Sequence, residues 1–288
     1  MSKFSLINKD YKVLIVGLGL LGGSYAQGLT DVGFYVGAID VNQKSIDYAL
    51  SNGIIKSGST SVEKEYVSQF DLIIFALYPK VFVKWLKDYQ MYLKPGAVVT
   101  DVTGIKSWLN NEIKDFIRDD IEYVLAHPMA GKEVYGVENA DKNIFKGANY
   151  IVIPNEKASE NAISLVEDIG RLLGFKNVVR LNNEEHDEMI GFLSQLTHCI
   201  AVSLMTCKES KHLVEYTGDS FRDLTRIARI NENMWSELFL LNKEELLSQM
   251  DLFLKQFTKL KETIENDDAE TMKEIMRVST RNRSYFDK

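Results

Sequence analysis

Short apolar runs recur along the first half of the chain and alternate with amphipathic stretches. The runs are rich in Val, Ile, Phe and Tyr and nearly continuous, which is typical of strands buried on both faces of a parallel sheet. They lie at residues 12–16, 34–39, 72–76, 97–100, 123–126, 150–153 and 177–181. Helical periodicity between them predicts helices at 22–32, 43–51, 80–92 and 157–173. This alternation predicts an N-terminal, Rossmann-like, doubly wound α/β sheet.

The pattern changes near residue 182. No further run rich in Val and Ile follows, and helical spacing predicts helices at 184–209, 219–230, 232–241, 243–266 and 269–284. We therefore predict two domains, a Rossmann domain at 1–182 and an all-helical domain at 183–288. No apolar stretch approaches the roughly 20 residues that a membrane span needs, so we expect no membrane insertion.

The composition narrows the class of protein. With 45% hydrophobic and 26% charged residues, the 288-residue chain is typical of a soluble globular protein. Its formal net charge of -7 argues against non-specific nucleic-acid binding, which needs a basic surface. An anionic substrate would require a site that concentrates positive charge locally.

Cysteine usage indicates a reducing compartment. Cys199 and Cys207 fall eight positions apart in one predicted helix, which separates their Cα atoms by about 12 Å, too far for a disulfide. The N-terminal residues lack the apolar core and the cleavage site of a signal peptide. We therefore expect a cytoplasmic protein.

A glycine fingerprint follows the first predicted strand. Gly17, Gly19 and Gly22 have the spacing of a dinucleotide-binding turn, in which they permit the turn, the approach of a pyrophosphate and close helix–strand packing. Leu20 and Leu21 lie within this turn and are predicted to contact the cofactor, and the helix that follows offers its unpaired N–H groups to the phosphates. The alternative is a glycine turn that binds no ligand.

An acidic residue ends the second predicted strand. Asp40 lies 18 residues beyond Gly22, the last glycine of the fingerprint, where a carboxylate accepts hydrogen bonds from a ribose diol. The same charge repels a 2′-phosphate. Asp40 therefore favours NAD over NADP as the cofactor.

Several predicted strands end in residues suited to a binding site. Because ligands of open α/β sheets bind at the carboxyl ends of strands, we predict that Leu77 and Asp101 contact the cofactor. His127 precedes Pro128, which favours an extended backbone at a strand exit. Its imidazole has a suitable pKa to accept a proton from a substrate alcohol. The alternative is a structural histidine that caps a loop.

The first long helix of the second half carries a polar stripe. Gly191, Ser194, Gln195 and His198 share one face of this otherwise apolar helix. Buried polar groups need hydrogen-bond partners, and either another helix or a ligand would supply them.

Three arginines share a second helical face. Arg222, Arg226 and Arg229 recur at offsets of one and two turns. They form either a solvated or carboxylate-paired surface, or an anion site, since the guanidinium fork matches carboxylates.

Several segments together resemble the prephenate dehydrogenase family. They are His127-Pro-Met-Ala-Gly-Lys-Glu133 with Gly136, Phe145-Lys-Gly-Ala148, Asp101-Val-Thr-Gly-Ile-Lys106, Thr197-His198, and Asp223-Leu-Thr-Arg-Ile-Ala228 followed by Met234-Trp235. The resemblance extends over nearly the whole chain. It implies NAD-dependent oxidative decarboxylation of prephenate to 4-hydroxyphenylpyruvate in tyrosine biosynthesis, with hydride leaving the ring carbon that bears the hydroxyl.

The resemblance also implies residue roles. His127 matches the catalytic histidine, His198 a substrate-binding histidine, and Glu133 the glutamate after the His-Pro block. Arg226 matches the arginine that binds a substrate carboxylate, often from the other subunit. The helical domain is expected to form a homodimer, and we predict no metal site.

The chain departs from the family pattern at two positions. Many members have Ser where this chain has Gly104, so Thr103 or a water is the expected replacement at the substrate hydroxyl. Gln195 replaces a histidine found in some members and is predicted to contact substrate. We expect neither an ACT nor a chorismate mutase domain.

Three other functions stay open. An arogenate dehydrogenase differs only in the substrate side chain, which is an amino acid instead of a keto acid. A dehydrogenase of another hydroxy acid would share the two-domain pattern. A dinucleotide-sensing protein would keep the cofactor site without catalysis.

Overall fold

The computed structural model describes residues 10–209 and 211–287. Its strands are Lys12–Val16 (β1), Tyr35–Ile39 (β2), Ser57–Ser59 (β3), Leu72–Phe75 (β4), Val98–Asp101 (β5), Glu122–Tyr123 (β6), Leu125–Pro128 (β7), Asn149–Ile153 (β8) and Asn177–Arg180 (β9). Its α-helices are Leu20–Asp31 (α1), Gln43–Ser51 (α2), Lys64–Val67 (α3), Pro79–Tyr89 (α4), Ser107–Ile113 (α5), Glu160–Leu172 (α6), Asn183–Ile190 (α7), Thr197–Thr206 (α8), Asp219–Thr225 (α9), Glu232–Leu241 (α10), Lys243–Glu265 (α11) and Ala269–Arg283 (α12).

The first six strands form a parallel sheet in the order β3-β2-β1-β4-β5-β6. Alternate residues of β1 enter opposite cores, Ile15 on the side of α1, α2 and α6 and Leu14 on the side of α4 and α5. Both side chains are fully buried, as the continuous apolar run requires. The predicted doubly wound sheet is confirmed.

The single strand predicted at 123–126 is wrong, because this segment contains parts of two strands that belong to different sheets. β6 ends the parallel sheet, and β7 begins a second sheet of order β7-β8-β9, in which β7 is antiparallel to β8. Periodicity did not reveal the break because Val124, between the two strands, is itself buried. The polar edge strand β3 was also missed.

The change from strands to helices has a local cause. Asn182 accepts a hydrogen bond from the backbone N–H of Glu185, whose side chain accepts one from the N–H of Asn182. This capping box starts α7 at Asn183, three residues after β9 ends at Arg180. In the described residues from Asn183 onward all regular structure is helical, which confirms the predicted helical second half.

A single continuous helix spans α7, a π-helical segment at Gly191–Leu196 and α8. By length and composition alone, this helix of 24 residues could cross a membrane, so the expectation that no such stretch exists was wrong. Two of its apolar side chains, Phe192 and Leu193, are exposed in the single chain. The predicted helix at 219–230 is shorter than expected, since α9 gives way to a 3₁₀ turn at Arg226–Ala228.

Candidate active site

A cavity of 590 Å³ lies between the parallel sheet and the helical domain. It is bordered by the glycine loop, by the ends of β4, β5 and β7, by the π-helical segment and by α10. Of the predicted site residues, those that line it are Gly19, Leu20, Leu21, Gly22, Leu77, Thr103, His127, Glu133, Gln195 and His198. Gly17, Asp40, Asp101 and Arg226 are not among the lining residues.

The glycine loop has the shape that a pyrophosphate needs. Gly17 has a φ of +98°, and a Cβ there would lie 2.5 Å from the carbonyl oxygen of Ala76. A Cβ at Gly22 would clash with the carbonyl of Gly17, whereas one at Gly19 would meet only open space. No side chain caps the N-terminus of α1, which leaves its N–H groups and its positive dipole end directed at the cavity.

Asp40 lies beside this loop at the end of β2. Its carboxylate accepts hydrogen bonds from the backbone N–H of Leu18 at 2.6 Å and of Asn42 at 2.8 Å. Both bonds hold the carboxylate next to the glycine turn, and each oxygen keeps a lone pair for a further donor.

His127 belongs to a chain of hydrogen-bonded side chains that sequence reasoning missed. Its Nδ1 lies 2.9 Å from Nε2 of His186, whose Nδ1 lies 2.7 Å from Oδ1 of Asp187. Asp187 also accepts from the backbone N–H groups of Lys106, at 2.9 Å, and of Ser107, at 2.7 Å. The one available signal was the adjacent His and Asp in the first turns of a predicted helix.

The carboxylate decides which nitrogen of each ring carries the proton. Because Asp187 only accepts, we assign the proton of His186 to Nδ1, which makes its Nε2 an acceptor for Nδ1–H of His127. Nε2 of His127 is then the unprotonated nitrogen, and His127 borders the cavity.

Burial keeps both rings neutral. It lowers the pKa of His127 well below its usual 6.5, and repulsion from Lys106, or from His186 if that ring were protonated, lowers it further. Burial also lowers the pKa of His186, although Asp187 opposes this. Burial, the largest single influence, raises the pKa of Asp187, but the hydrogen bond and charge attraction of His186 and the backbone N–H groups of Ser107 and Lys106 together outweigh it, so the net shift is downward.

The depressed pKa of His127 predicts the pH dependence of activity. A general base works only when neutral, so kcat/KM should stay level through neutral pH and fall only as the pH drops through the lowered pKa. We expect the acid limb to be centred below about 6.5, the ordinary value for histidine. A kcat/KM profile with an acid limb centred above pH of about 7 would contradict the assignment of His127.

Asp101 is buried beneath the cavity and does not line it. It forms a fully buried ion pair with Lys106 at 2.7 Å and accepts from the backbone N–H of Ala126 and Thr103. The hydroxyl of Thr103 also donates to Asp101. The Asp101 carboxylate therefore has its partners below the cavity, and the Thr103 hydroxyl is bonded to Asp101 although Thr103 lines the cavity.

Gly104 lies directly beside the imidazole of His127. A Cβ at Gly104 would lie 3.6 Å from Cε1 and 3.7 Å from Nε2 of His127, which is ordinary van der Waals contact. A side chain at this position would therefore fit beside the unprotonated Nε2 of His127, and glycine provides none.

The polar side chains on the first long helix of the helical domain have different partners: one bonds other helices and one faces the cavity. Gln195 is buried and donates to the carbonyl of Leu238 at 3.2 Å and accepts from Asn242 at 2.9 Å, so helices supply its partners. His198 bonds the carbonyl of Ser194 through Nδ1 at 2.8 Å and stacks on Trp235 with ring centroids 3.7 Å apart. Its ring borders the cavity.

The three arginines have different surroundings. Arg226 pairs with Glu133 at 2.7 Å, with 65% of its side chain exposed. Arg222 lies 3.4 Å from Asp219. Arg229, the third arginine of that helical face, lines the cavity together with Lys132.

In the part of the chain that the structure describes, no three His, Cys, Asp or Glu side chains are grouped so that they could hold a metal ion.

Comparison with known proteins gives matches along the whole fold. The family model for the prephenate dehydrogenase nucleotide-binding domain matches residues 26–179, and that for the prephenate dehydrogenase dimerization domain matches residues 182–278. The prephenate dehydrogenase of Lactococcus lactis subsp. cremoris is 30% identical over 271 residues, 91% of this chain and 73% of the relative. That of Bacillus subtilis is 28% identical over 269 residues, 90% and 72% respectively.

A solved structure agrees with these matches. Prephenate dehydrogenase from A. aeolicus, crystallised with hydroxyphenyl propionate and NAD+, superposes with a TM-score of 0.87 at 31% identity. The alignment covers 96% of this chain and 98% of that chain.

Proposed function

The chain belongs to the prephenate dehydrogenase family of NAD-dependent oxidoreductases, and we propose that it oxidatively decarboxylates prephenate to 4-hydroxyphenylpyruvate with NAD. The observation that carries this proposal is the position of His127. It borders the cavity, and the hydrogen bond from its Nδ1 to His186 leaves Nε2 unprotonated.

We propose that the glycine loop holds the cofactor. Gly17, Gly19 and Gly22 give the pyrophosphate a close backbone approach, and Leu20 and Leu21 contribute N–H groups at the start of α1. Leu77 borders the same side of the cavity. The carboxylate of Asp40 would accept hydrogen bonds from the hydroxyls of the adenosine ribose. When bound, NAD supplies the acceptor for the hydride that leaves the substrate.

The protein's part in the reaction is to move one proton and to hold the substrate. Nε2 of His127 accepts the proton of the ring hydroxyl as the carbon–hydrogen bond of that carbon breaks. The positive charge that develops on His127 is stabilised through His186 by the carboxylate of Asp187. The carboxylate on the ring then leaves as carbon dioxide, and its bonding electrons complete the aromatic ring. The ketone oxygen thereby becomes the phenol oxygen and takes the proton back from His127, which restores the neutral base.

We propose that Asp40 makes the enzyme selective for NAD over NADP. A 2′-phosphate would bring negative charge against a carboxylate that Leu18 and Asn42 hold in place. Asp40→Ser should therefore raise kcat/KM for NADP relative to NAD by about tenfold or more, because like charges placed together cost several kcal/mol and about 1.4 kcal/mol corresponds to a factor of ten. Steady-state rates with both cofactors measure this ratio, and equal use of NADP by the wild-type enzyme would refute the proposal.

Charge at the cavity favours prephenate over arogenate. Lys132 and Arg229 are cations of the cavity wall, and Arg226 offsets the charge of Glu133. Prephenate is a dianion, whereas arogenate adds an ammonium group that these cations would repel. We expect kcat/KM for arogenate to be lower by about tenfold or more, measured by NADH formation with each substrate. A preference for arogenate would make the chain an arogenate dehydrogenase.

We propose that Arg229 binds a substrate carboxylate within the same chain. Arg229→Gln should raise KM for prephenate by about tenfold or more with little change in the KM for NAD, because a charge-assisted hydrogen bond contributes about 1.5–3 kcal/mol. Arg222→Gln is the matched control, since Arg222 lies outside the cavity wall. An unchanged KM in Arg229→Gln would refute this role.

Arg226 remains a proposed carboxylate ligand for the cavity of a second subunit, in keeping with its exposed position. His198, Gln195 and Glu133 are proposed to shape the substrate end of the cavity. Thr103 is proposed to act indirectly, through Asp101.

We infer that the protein is a cytoplasmic homodimer. Support for the dimer comes from apolar side chains left exposed along α11 and α12: Leu247, Leu252, Leu254, Phe257, Ile264 and Met276. The free thiols of Cys199 and Cys207 support a reducing compartment.

We propose a domain boundary at residue 182, supported by the capping box that starts α7.

A further inference from the structure

Helix α10 contacts the Rossmann domain through two polar pairs. The carboxylate of Glu237 accepts a hydrogen bond from the backbone N–H of Lys80 at 2.9 Å. The side-chain amide of Asn231, the N-cap of α10, donates to the hydroxyl of Tyr78 at 3.1 Å. Both contacts join α10 to the start of α4, and Tyr78 and Asn231 also line the cavity.

Glu237 completes the N-terminus of α4 from the other domain. Tyr78 is the N-cap of α4 but its side chain makes no capping hydrogen bond, and Pro79 at the first position has no N–H. The N–H of Lys80 is then the first unpaired donor of the helix. A carboxylate at this positive end of the helix is favourable, so α4 is capped only while α10 lies against it.

The loop before α4 is in turn packed on the glycine loop. A Cβ at Gly17 would lie 2.5 Å from the carbonyl oxygen of Ala76 and 2.9 Å from Cδ2 of Leu77. Because there is no room for a Cβ at Gly17, and because the N–H of Ala76 donates to the carbonyl of Val16 at 2.8 Å, a shift of the glycine loop would also move the residues leading into Tyr78. The cofactor end of the cavity is therefore mechanically joined to the start of α4.

The other face of α10 forms the substrate end of the cavity. Trp235 stacks on His198, and the carbonyl of Leu238 accepts from Gln195. The position of α10 thus sets the position of the cavity wall that faces His127.

We propose that Glu237, Asn231 and Tyr78 are positioning residues that couple cofactor binding to substrate binding by docking α10 onto the start of α4. This inference rests on the proposed function of the cavity. Binding at the glycine loop orders the segment that α10 docks onto, and binding against Trp235 and His198 orders α10 itself. When one ligand is bound, the α10–α4 contact is already ordered, so the second ligand loses less conformational entropy on binding and binds more tightly. By linkage, the effect is the same in both directions.

The test is a thermodynamic cycle on the full-length protein. The Kd of NAD+ is measured by calorimetry with and without 3-(4-hydroxyphenyl)propionate, a product-like probe, and the ratio of the two values is the coupling factor. We expect a factor of about five or more in the wild type. Glu237→Ala and Tyr78→Phe should each bring it close to one, a reduction of about threefold or more, which is within the effect of one hydrogen bond.

Glu232→Ala is the matched control, because Glu232 lies on the same helix and makes no hydrogen bond or ion pair to α4 among the described residues. It should leave the coupling factor unchanged. A coupling factor of one in the wild type, an unchanged factor in both variants, or an equal loss in Glu232→Ala would overturn the proposal. Tyr78→Phe removes a single hydroxyl from a half-exposed side chain, so a folding defect does not obscure its result.

The proposed function fails in a different way. If NAD+ and the probe are coupled but the wild type forms no NADH from prephenate, the docking of α10 stands and the substrate assignment is wrong.

Discussion

Replacing His127 with Asn is expected to lower kcat by about 10²- to 10⁴-fold, the usual contribution of a general base. Asn keeps a polar side chain in the cavity but offers no basic nitrogen to the substrate hydroxyl. The Kd of NAD+ should change little, because the glycine loop and Asp40 that are proposed to hold the cofactor do not contact this side chain. Pre-steady-state and steady-state rates of NADH formation measure kcat, and calorimetry measures the Kd.

His212→Asn is the control for this variant, since His212 is exposed and lies outside the cavity wall. It should retain wild-type kcat. If His127→Asn also keeps its kcat, the histidine is structural and the proposed mechanism is wrong.

The second large effect is expected from Asp187→Asn, although Asp187 does not line the cavity. The carboxylate accepts hydrogen bonds from His186 and from two backbone N–H groups, and an amide has only one oxygen to replace its two. With the amide nitrogen facing His186, the proton of that ring moves to Nε2, which then donates to Nδ1 of His127. Nε2 of His127 becomes protonated and loses its function as the base.

We expect kcat to fall by about 10²- to 10³-fold in Asp187→Asn, because an inverted tautomer disables the base without removing it. The pH profile separates this from a loss of structure, since a tautomeric defect lowers the rate at every pH at which the wild type is active. Asp168→Asn is the matched control. Asp168 is a buried carboxylate, paired with Arg171 on α6 at 2.5 Å and remote from the cavity wall.

Equal losses of kcat and thermal stability in the two Asp→Asn variants would indicate that Asp187 supports the fold alone. A loss of kcat in Asp187→Asn at unchanged Tm supports its role in positioning the proton.

The sequence predicted those parts of the site that depend on local pattern. The glycine loop follows from the spacing of Gly17, Gly19 and Gly22, and the extended backbone at His127 follows from the proline after it. Both are consequences of a few neighbouring residues, so a single sequence is sufficient to predict them.

The parts that were missed depend on contacts between distant segments. His186 meets His127 only because the start of α7 folds against the end of β7, 59 residues away along the chain. In the same way, one helical face carries Arg222, Arg226 and Arg229, but only the docked helical domain shows that Arg229 reaches the cavity.

Burial accounts for the difference at Asp101. As a carboxylate at the end of a strand, Asp101 had the pattern of a ligand-binding residue. In the structure it forms a fully buried ion pair with Lys106. A buried pair of this kind is costly to break, and the sequence spacing alone did not distinguish it from an exposed cofactor contact.

The most direct test of the central claim is the stoichiometry of the wild-type reaction with prephenate and NAD+. We predict one NADH, one carbon dioxide and one 4-hydroxyphenylpyruvate for each prephenate consumed, and no NADH from the His127→Asn variant on the same timescale. Absence of NADH formation from prephenate by the folded wild-type protein, or a rate in the variant equal to that of the wild type, would contradict the account.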